Sequence, residues 1–434
     1  MSRVNSTMID ALLVVYDDKS AKQLFIQKDA FMAEIKKFAK VTQIGQKGKT
    51  DRNITRFNGN VSSGGAGMVY PPGVGFETDQ YHTYPRNQVI TIEINDMTYD
   101  DLNGMNGKPS QDKAVFSFSQ MIDLTMKGLA EDRSMSFAQG TGNAALATTN
   151  ASAGTSTTII PFYTTPDALP NRSHGCQRLR PGVLYDICTS SGPVSGLTDI
   201  SFTKAEVDYA TNTITFASAL ASAPADGTYW VPANSWGYGV NGLPHLISGT
   251  KTGSWQGVTV TYSNEHQSVH FNANGQRQTI ALQQKANSKL KIRNRGKKNY
   301  KILGPTGQND VWRSLGWNAK RWTGDANTYD PAFEEGRYAG NPFIDLDEID
   351  VDRQYLVADM SDFEIIEQKS FGIIQRNGQV LKEKQGDGTG EGNYFMNIGG
   401  ADNLKINTPS LFEVIVDLEV DSDLATLGTQ YLTT

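Results

Sequence analysis

Apolar residues recur at helical spacing in two places in the first third of the chain. In DKSAKQLFIQKDAFMAEIKKF, Phe31, Ile35 and Phe38 share one face while lysines are scattered elsewhere, which predicts an amphipathic helix in a short arm. The second stretch, DKAVFSFSQMIDLTMKGLAEDRSMSFAQ, places Val115, Phe118, Ile122, Met126 and Leu129 on one stripe. Pro109 and Ser110 open it, with Ser110 as N-cap and Asp112 in the first turn, where the helix dipole favours an acid. At 1.5 Å per residue such a helix runs roughly 40 Å, longer than most in globular proteins. Gly140-Thr141-Gly142 then supplies an exit, one glycine taking the left-handed C-cap. A phosphate-cradling loop would need the glycines after a strand and before a helix, whereas these follow a helix.

Elsewhere the period is two. RNQVITIEINDM puts Ile90, Ile92 and Ile94 on one side of a strand and Val89 and Thr91 on the other. Residues 51–85, rich in Gly, Pro, Asn and Ser with strand-like ends, predict a long hairpin loop. Residues 150–235 break into short alternating strands joined by turns such as Thr211-Asn212 and Asp226-Gly227, which predicts an inserted all-β module. Beyond it, TIALQQKANSKLKIRNR and QNDVWRSLGW read as helices, and NYKILGP as a strand stopped by Pro305. GNPFIDLDEIDVDRQYLVADMSDFEII reads as strands with an acidic connection, and NLKINTPSLFEVIVDLEV as two strands whose apolar face packs on the long helix. The fold class is α+β.

Size adds that 434 residues exceed what one core usually supports, so two or more lobes are expected. All six tryptophans lie at or after Trp230, which points to separate cores. No apolar run reaches 18 residues and the first 20 contain no signal core with a cleavage site, so the expectation is a soluble, unexported protein with no membrane contact. Two cysteines, Cys176 and Cys188, fit a reducing compartment. A net charge of -6 gives no general attraction to nucleic acid.

Candidate chemistry is sparse. His266 and His270 would share a helical face, but no third metal ligand is near in sequence. His174 and Cys176 are two apart, a spacing that does not make a nucleophile and base pair. Asp345–Asp352 stacks acids that suit a divalent cation, yet apolar residues interrupt it, and a solvated strand connection is the expectation. GDGTGEGN, 386–393, resembles a calcium-repeat turn in one copy only. The strongest charge feature is residues 285–301, with eight Lys or Arg in seventeen positions. Its candidate patch is Lys289, Lys291, Arg293, Arg295, Lys297 and Lys298, which suits phosphates, an acidic face of a neighbouring subunit, or only solvent. No catalytic residue, metal site or cofactor is expected.

The order of arm, Gly/Pro-rich hairpin, strand, long helix ending in GTG, mixed lobe and closing strand pair resembles the major capsid proteins of tailed bacteriophages, the Hong Kong 97-like fold. GGAGMVYPPGVGFETDQYHTYPRNQVITIEI is similar to the extended loop and its return strand, and MKGLAEDRSMSFAQGTGNAALA to the spine helix and its exit. YKILGPTGQNDVWRSLG and GNPFIDLDEIDVDRQYLVADMSDFEI are similar to the axial lobe. The implied domains are an N-terminal arm (1–50), an extended β-hairpin loop (51–88), a peripheral domain with the spine helix (89–149), an inserted β-rich domain (150–235), an axial domain (236–350) and return strands of both (351–434).

The resemblance implies a non-enzymatic shell subunit that forms hexamers and pentamers of an icosahedral head around double-stranded DNA. That DNA is touched without sequence specificity. A portal, a separate scaffolding protein and a decoration protein are the implied partners, with assembly in the host cytoplasm and a final place in the virion. Candidate intersubunit contacts are Arg52, Arg56, Met68, Val69, Phe76 and Arg86. Other classes remain open: a tail-tube or adhesin subunit, or a nucleotide- or metal-dependent enzyme.

Overall fold

The structure is a computed structural model. It describes residues 30–45, 47–56, 77–94, 110–154, 156–163, 175–208, 211–247, 254–255, 258–259, 268–293, 300–313, 337–338, 341–346, 348–374, 382–383 and 394–419.

Helix α1 (Ala30–Lys36) buries Phe31 and Ile35 as the pattern predicts. Phe38 does not join them. The helix ends two residues earlier, and the side chain is exposed with the Lys301 ammonium 3.6 Å from its ring centroid. Strands β1 (Lys40–Gln43), β2 (Lys49–Arg56), β3 (Glu77–Thr83) and β4 (Arg86–Ile94) follow. In β4 the alternation holds, with Ile92 buried and Val89 and Thr91 exposed.

Helix α2 spans Ser110–Gln139, so Ser110 is its first residue rather than the one before it. The stripe that buries Ile122, Met126 and Leu129 continues through Arg133 and Phe137. At the exit, Gly140 N–H donates to Ser136 O at 2.8 Å, and the left-handed residue is Gly142, with φ of +80°. Gly140 is required for a different reason: a Cβ there would lie 2.2 Å from Ser136 O and 2.6 Å from Val240 O.

Strands β5 (Ala147–Thr148), β6 (Ile159–Pro161), β7 (Tyr185–Thr189), β8 (Gly192–Pro193), β9 (Val207–Asp208), β10 (Thr213–Thr215) and β11 (Tyr229–Pro232) build two small sheets, ordered β5-β11-β7-β8 and β6-β10-β9. Their core gathers Phe162, Tyr185, Phe202 and Phe216 around Trp230, whose Nε1 donates to Thr149 Oγ1 at 3.0 Å. Trp230 therefore belongs to this β-rich core.

The remaining elements are α3 (Leu243–Leu246), β12 (Ser254–Trp255), β13 (Val258–Thr259), β14 (Val269–Gln276), α4 (Ile280–Arg293), β15 (Lys301–Gly304), α5 (306–313), β16 (Arg337–Tyr338), β17 (Asn341–Asp345), β18 (Gln354–Val357), β19 (Phe363–Ile373), β20 (Lys382–Glu383), β21 (Tyr394–Ile406) and β22 (Phe412–Leu418). One sheet runs β1-β19-β21-β4, β1 parallel to β19, with β20 also beside β21. Another runs β14-β22-β18-β15-β17-β16. Both contribute to one core, where Phe363 of β19 and Phe412 of β22 meet edge to face at 4.9 Å. The closing strands thus part company, β21 reaching α2 through Asp402 while β22 enters the other sheet. Among the described residues no helix is long and apolar enough to cross a membrane.

Candidate assembly interface

Strands β2 and β3 form a two-stranded sheet that pairs with no third strand among the described residues, from Lys49 opposite Thr83 to Arg56 opposite Glu77. A lone two-stranded ribbon is marginal in water, so its order depends on how its root is held. Gly48 makes the entry, with φ of +73° and a space in which any Cβ would fall 2.5 Å from Thr83 O. Lys49 Nζ contacts Glu364 Oε1 at 2.6 Å, and Glu364 also accepts from Thr42 Oγ1 at 2.5 Å. Lys405 is fully buried, pairs with Asp51 and lies 3.4 Å from Glu364. Its ammonium sits 4.7 Å from the ring centroid of the buried Tyr81. Two cations face two carboxylates. Burial alone would raise the Glu364 carboxyl, but the Lys49 and Thr42 hydrogen bonds and the Lys405 charge hold it below its ordinary value.

None of these root residues was singled out in the sequence. The signal was present: Lys405 stands between Leu404 and Ile406, and Glu364 between Phe363 and Ile365, in strands apolar enough to be buried on both sides. A charge in such a run has to be paired.

Of the loop residues proposed as contacts, Arg52 and Arg56 lie on β2, opposite Gln80 and Glu77. Met68, Val69 and Phe76 lie outside the described residues. Arg86 starts β4, with its guanidinium 5.7 Å from the Tyr238 ring centroid. In the basic run, Lys289, Lys291 and Arg293 fall on α4, whereas Arg295, Lys297 and Lys298 lie outside the described residues. Lys289 stands 4.7 Å from the ring centroid of Phe271.

The chemical candidates are occupied by structure. Gly142 N–H donates to Val240 O at 3.2 Å and Gly140 N–H closes α2, so neither amide is turned to an anion. His270 lies on a strand, which removes the helical spacing from His266; His266 and His174 are outside the described residues, as is 386–393. Cys176 is buried, its thiol pushed up to about 12 by burial, and Cys188 to about 11. Both are poor nucleophiles.

The acidic run is not a solvated connection. Leu346 and Ile349 are core residues, Asp345 binds Arg313 at 2.8 Å, and Glu348 accepts from Ser134 Oγ at 2.9 Å. Asp350 and Asp352 are buried 3.7 and 3.4 Å from Arg353, and burial raises Asp352 to about 7. The Arg353 countercharge lets Asp350 and Asp352 go inside, while Asp345 stays exposed on its Arg313 pair. No cluster of three or more His, Cys, Asp or Glu that could hold a metal occurs among the described residues.

No family model matches the sequence, and no curated protein matches it. Solved structures do. The chain is similar to a protein of the cyanophage A-1(L) capsid asymmetric unit at 12% identity and a TM-score of 0.49, covering 89% of this chain and 93% of that one. It is similar to one from the capsid of the native GTA particle at 6% identity and a TM-score of 0.43, covering 88% and 89%. A third is from the capsid of cyanophage P-SCSP1u, at 10% identity and a TM-score of 0.37, covering 87% and 86%. All three come from capsids.

Proposed function

We propose that this chain is the major capsid protein of a tailed bacteriophage, a structural subunit that self-assembles into the hexamers and pentamers of an icosahedral head around double-stranded DNA. The observation that carries the reading is the β2–β3 ribbon: it pairs with no third strand among the described residues, yet a buried charge cluster fixes its root to β19 and β21. A rigidly rooted ribbon is suited to laying its length on a neighbour, where it gains the burial it lacks alone. The segment order of the sequence supports the same reading. In it, α2 is the spine helix, 51–88 the extended loop, 150–235 the inserted domain, and portal, scaffolding and decoration proteins are partners.

The test is negative-stain imaging of the expressed chain with its scaffolding partner. Closed shells or ring-shaped capsomers are expected. Isolated particles at every concentration, or tubes, would overturn the reading.

A further inference from the structure

Arg86 begins β4 with its guanidinium half-buried and its Nε enclosed without a hydrogen-bond partner. The charged or chargeable groups that act on it are the phenols of Tyr238 and Tyr84, while Arg86 in turn acts on the imidazole of His245. Among the described residues no carboxylate is one of them. Tyr238 is 68% exposed and Tyr84 49% exposed, and His82 stacks on Tyr84 at 6.4 Å. Tyr238 is carried by a tight loop: Gly237 has φ of +76°, and a Cβ on Gly239 would lie 2.1 Å from Ala144 N. The loop leaves Tyr238 standing in solvent over a cation stripped of part of its water, with exposed Tyr84 two residues before that cation.

Tyrosine and arginine are enriched among residues that dominate protein interfaces, because they bring area and donors at low entropic cost. A half-buried guanidinium that lacks an anion regains most from a carboxylate that meets its planar fork. The chain carries 46 acids against 40 bases, so two copies repel as wholes and a contact between them needs a local cation. A polyphosphate backbone would need several cations in a row, and among the described residues none acts on Arg86.

We propose that Arg86, Tyr84 and Tyr238 form a carboxylate-binding contact that receives an Asp or Glu side chain from a second copy of this chain. The proposal rests on the assembly reading above and names the chemistry of one of its joints.

The experiment compares shell assembly of the wild type, Arg86→Ala and Arg86→Lys, and places photoreactive p-benzoylphenylalanine at position 238. Arg86→Ala should lower the assembled fraction about tenfold at a subunit concentration that sustains wild-type shells, and Arg86→Lys should restore part of it. The melting temperature of the unassembled subunit should not move, since the guanidinium makes no ion pair there with any described residue. Cross-links from position 238 in shells that keep Arg86 should join two copies and map to a peptide containing Asp or Glu. Wild-type shells accompanied by equally abundant Arg86→Ala shells would overturn this contact and leave the capsid reading standing. So would cross-links confined to one chain or made to nucleic acid. Failure of the wild type itself to assemble would overturn both.

Discussion

Arg133 on α2 and Asp402 on β21 are joined inside the protein, with Arg133 Nε 3.0 Å from Asp402 Oδ2 and the two residues 3% and 0% exposed. The guanidinium also stacks 4.2 Å from the ring centroid of Phe371. Burial raises the Asp402 carboxyl, and the Arg133 charge and hydrogen bond oppose the rise. Removing one partner leaves the other charged and unpaired, so Arg133→Ala should cost about 3–5 kcal/mol. Arg133→Met combined with Asp402→Leu should recover most of that loss, because two desolvation costs vanish together. Denaturant unfolding of the subunit measures both. A double variant no more stable than Arg133→Ala would contradict this account of the pair.

Glu413 gives the subunit an alkaline limit. It is fully buried in β22, and burial raises it to about 9 from an ordinary 4.5, with Lys289 and the Leu290 amide of α4 opposing the rise. A raised carboxyl stabilises the fold fully below its unfolded value, and that stability is lost as pH rises through the window from 4.5 to about 9. Glu413→Gln removes the titration. The variant should match the wild type near pH 4 and exceed it by about 1 kcal/mol or more near pH 9. Parallel pH profiles of the two melting temperatures would show that Glu413 does not titrate there.

The apolar stripe and the apolar alternation should respond differently to the same charge. Leu129 of α2 is buried, whereas Val89 on the outer face of β4 is 48% exposed. Leu129→Asp buries a carboxylate without a partner and should cost roughly 3 kcal/mol or more. Val89→Asp should stay within about 0.5 kcal/mol in the unassembled subunit, apart from a small strand-propensity loss. Thermal unfolding of both variants decides, and equal losses would mean the stripe is misplaced.

These positions also mark how far the sequence could be read. Periodicity located β4 and the Ile122, Met126 and Leu129 part of the α2 stripe, because one face of each is apolar and the other is not; the burial of Val115 and Phe118 lies outside what the structure describes. It did not extend the stripe to Arg133, whose burial depends on an aspartate 269 residues away. The same blindness turned Asp350 and Asp352 into a solvated connection, since nothing in the run's spacing shows that Arg353 folds back 3.7 and 3.4 Å from their carboxylates. Phe38 fails for a local reason: the period continues one turn past the point where the chain leaves the helix. At the candidate interface Arg86 was legible as a cation in a loop-to-strand segment, but Tyr238, from 152 positions along, comes beside it only through the fold.

If the chain assembles as proposed, its shells should not be covalently welded. In some members of the family it resembles, a lysine on the extended loop forms an isopeptide bond to an asparagine of a neighbouring subunit. That chemistry needs an amine that can lose its proton in a partly desolvated pocket. Between Lys49 and Lys108 there is no lysine; Arg52, Arg56 and Arg86 carry guanidinium groups that stay protonated, and His82 has no primary amine. Lys49 itself is held at the ribbon's root, 2.6 Å from Glu364 and 3.7 Å from Asp51. Shells should therefore be held by non-covalent contacts. Particles boiled in detergent under reducing conditions should release a single 47.5 kDa chain on a denaturing gel. A ladder of covalent oligomers surviving that treatment would refute it and direct the search to a lysine outside 49–108.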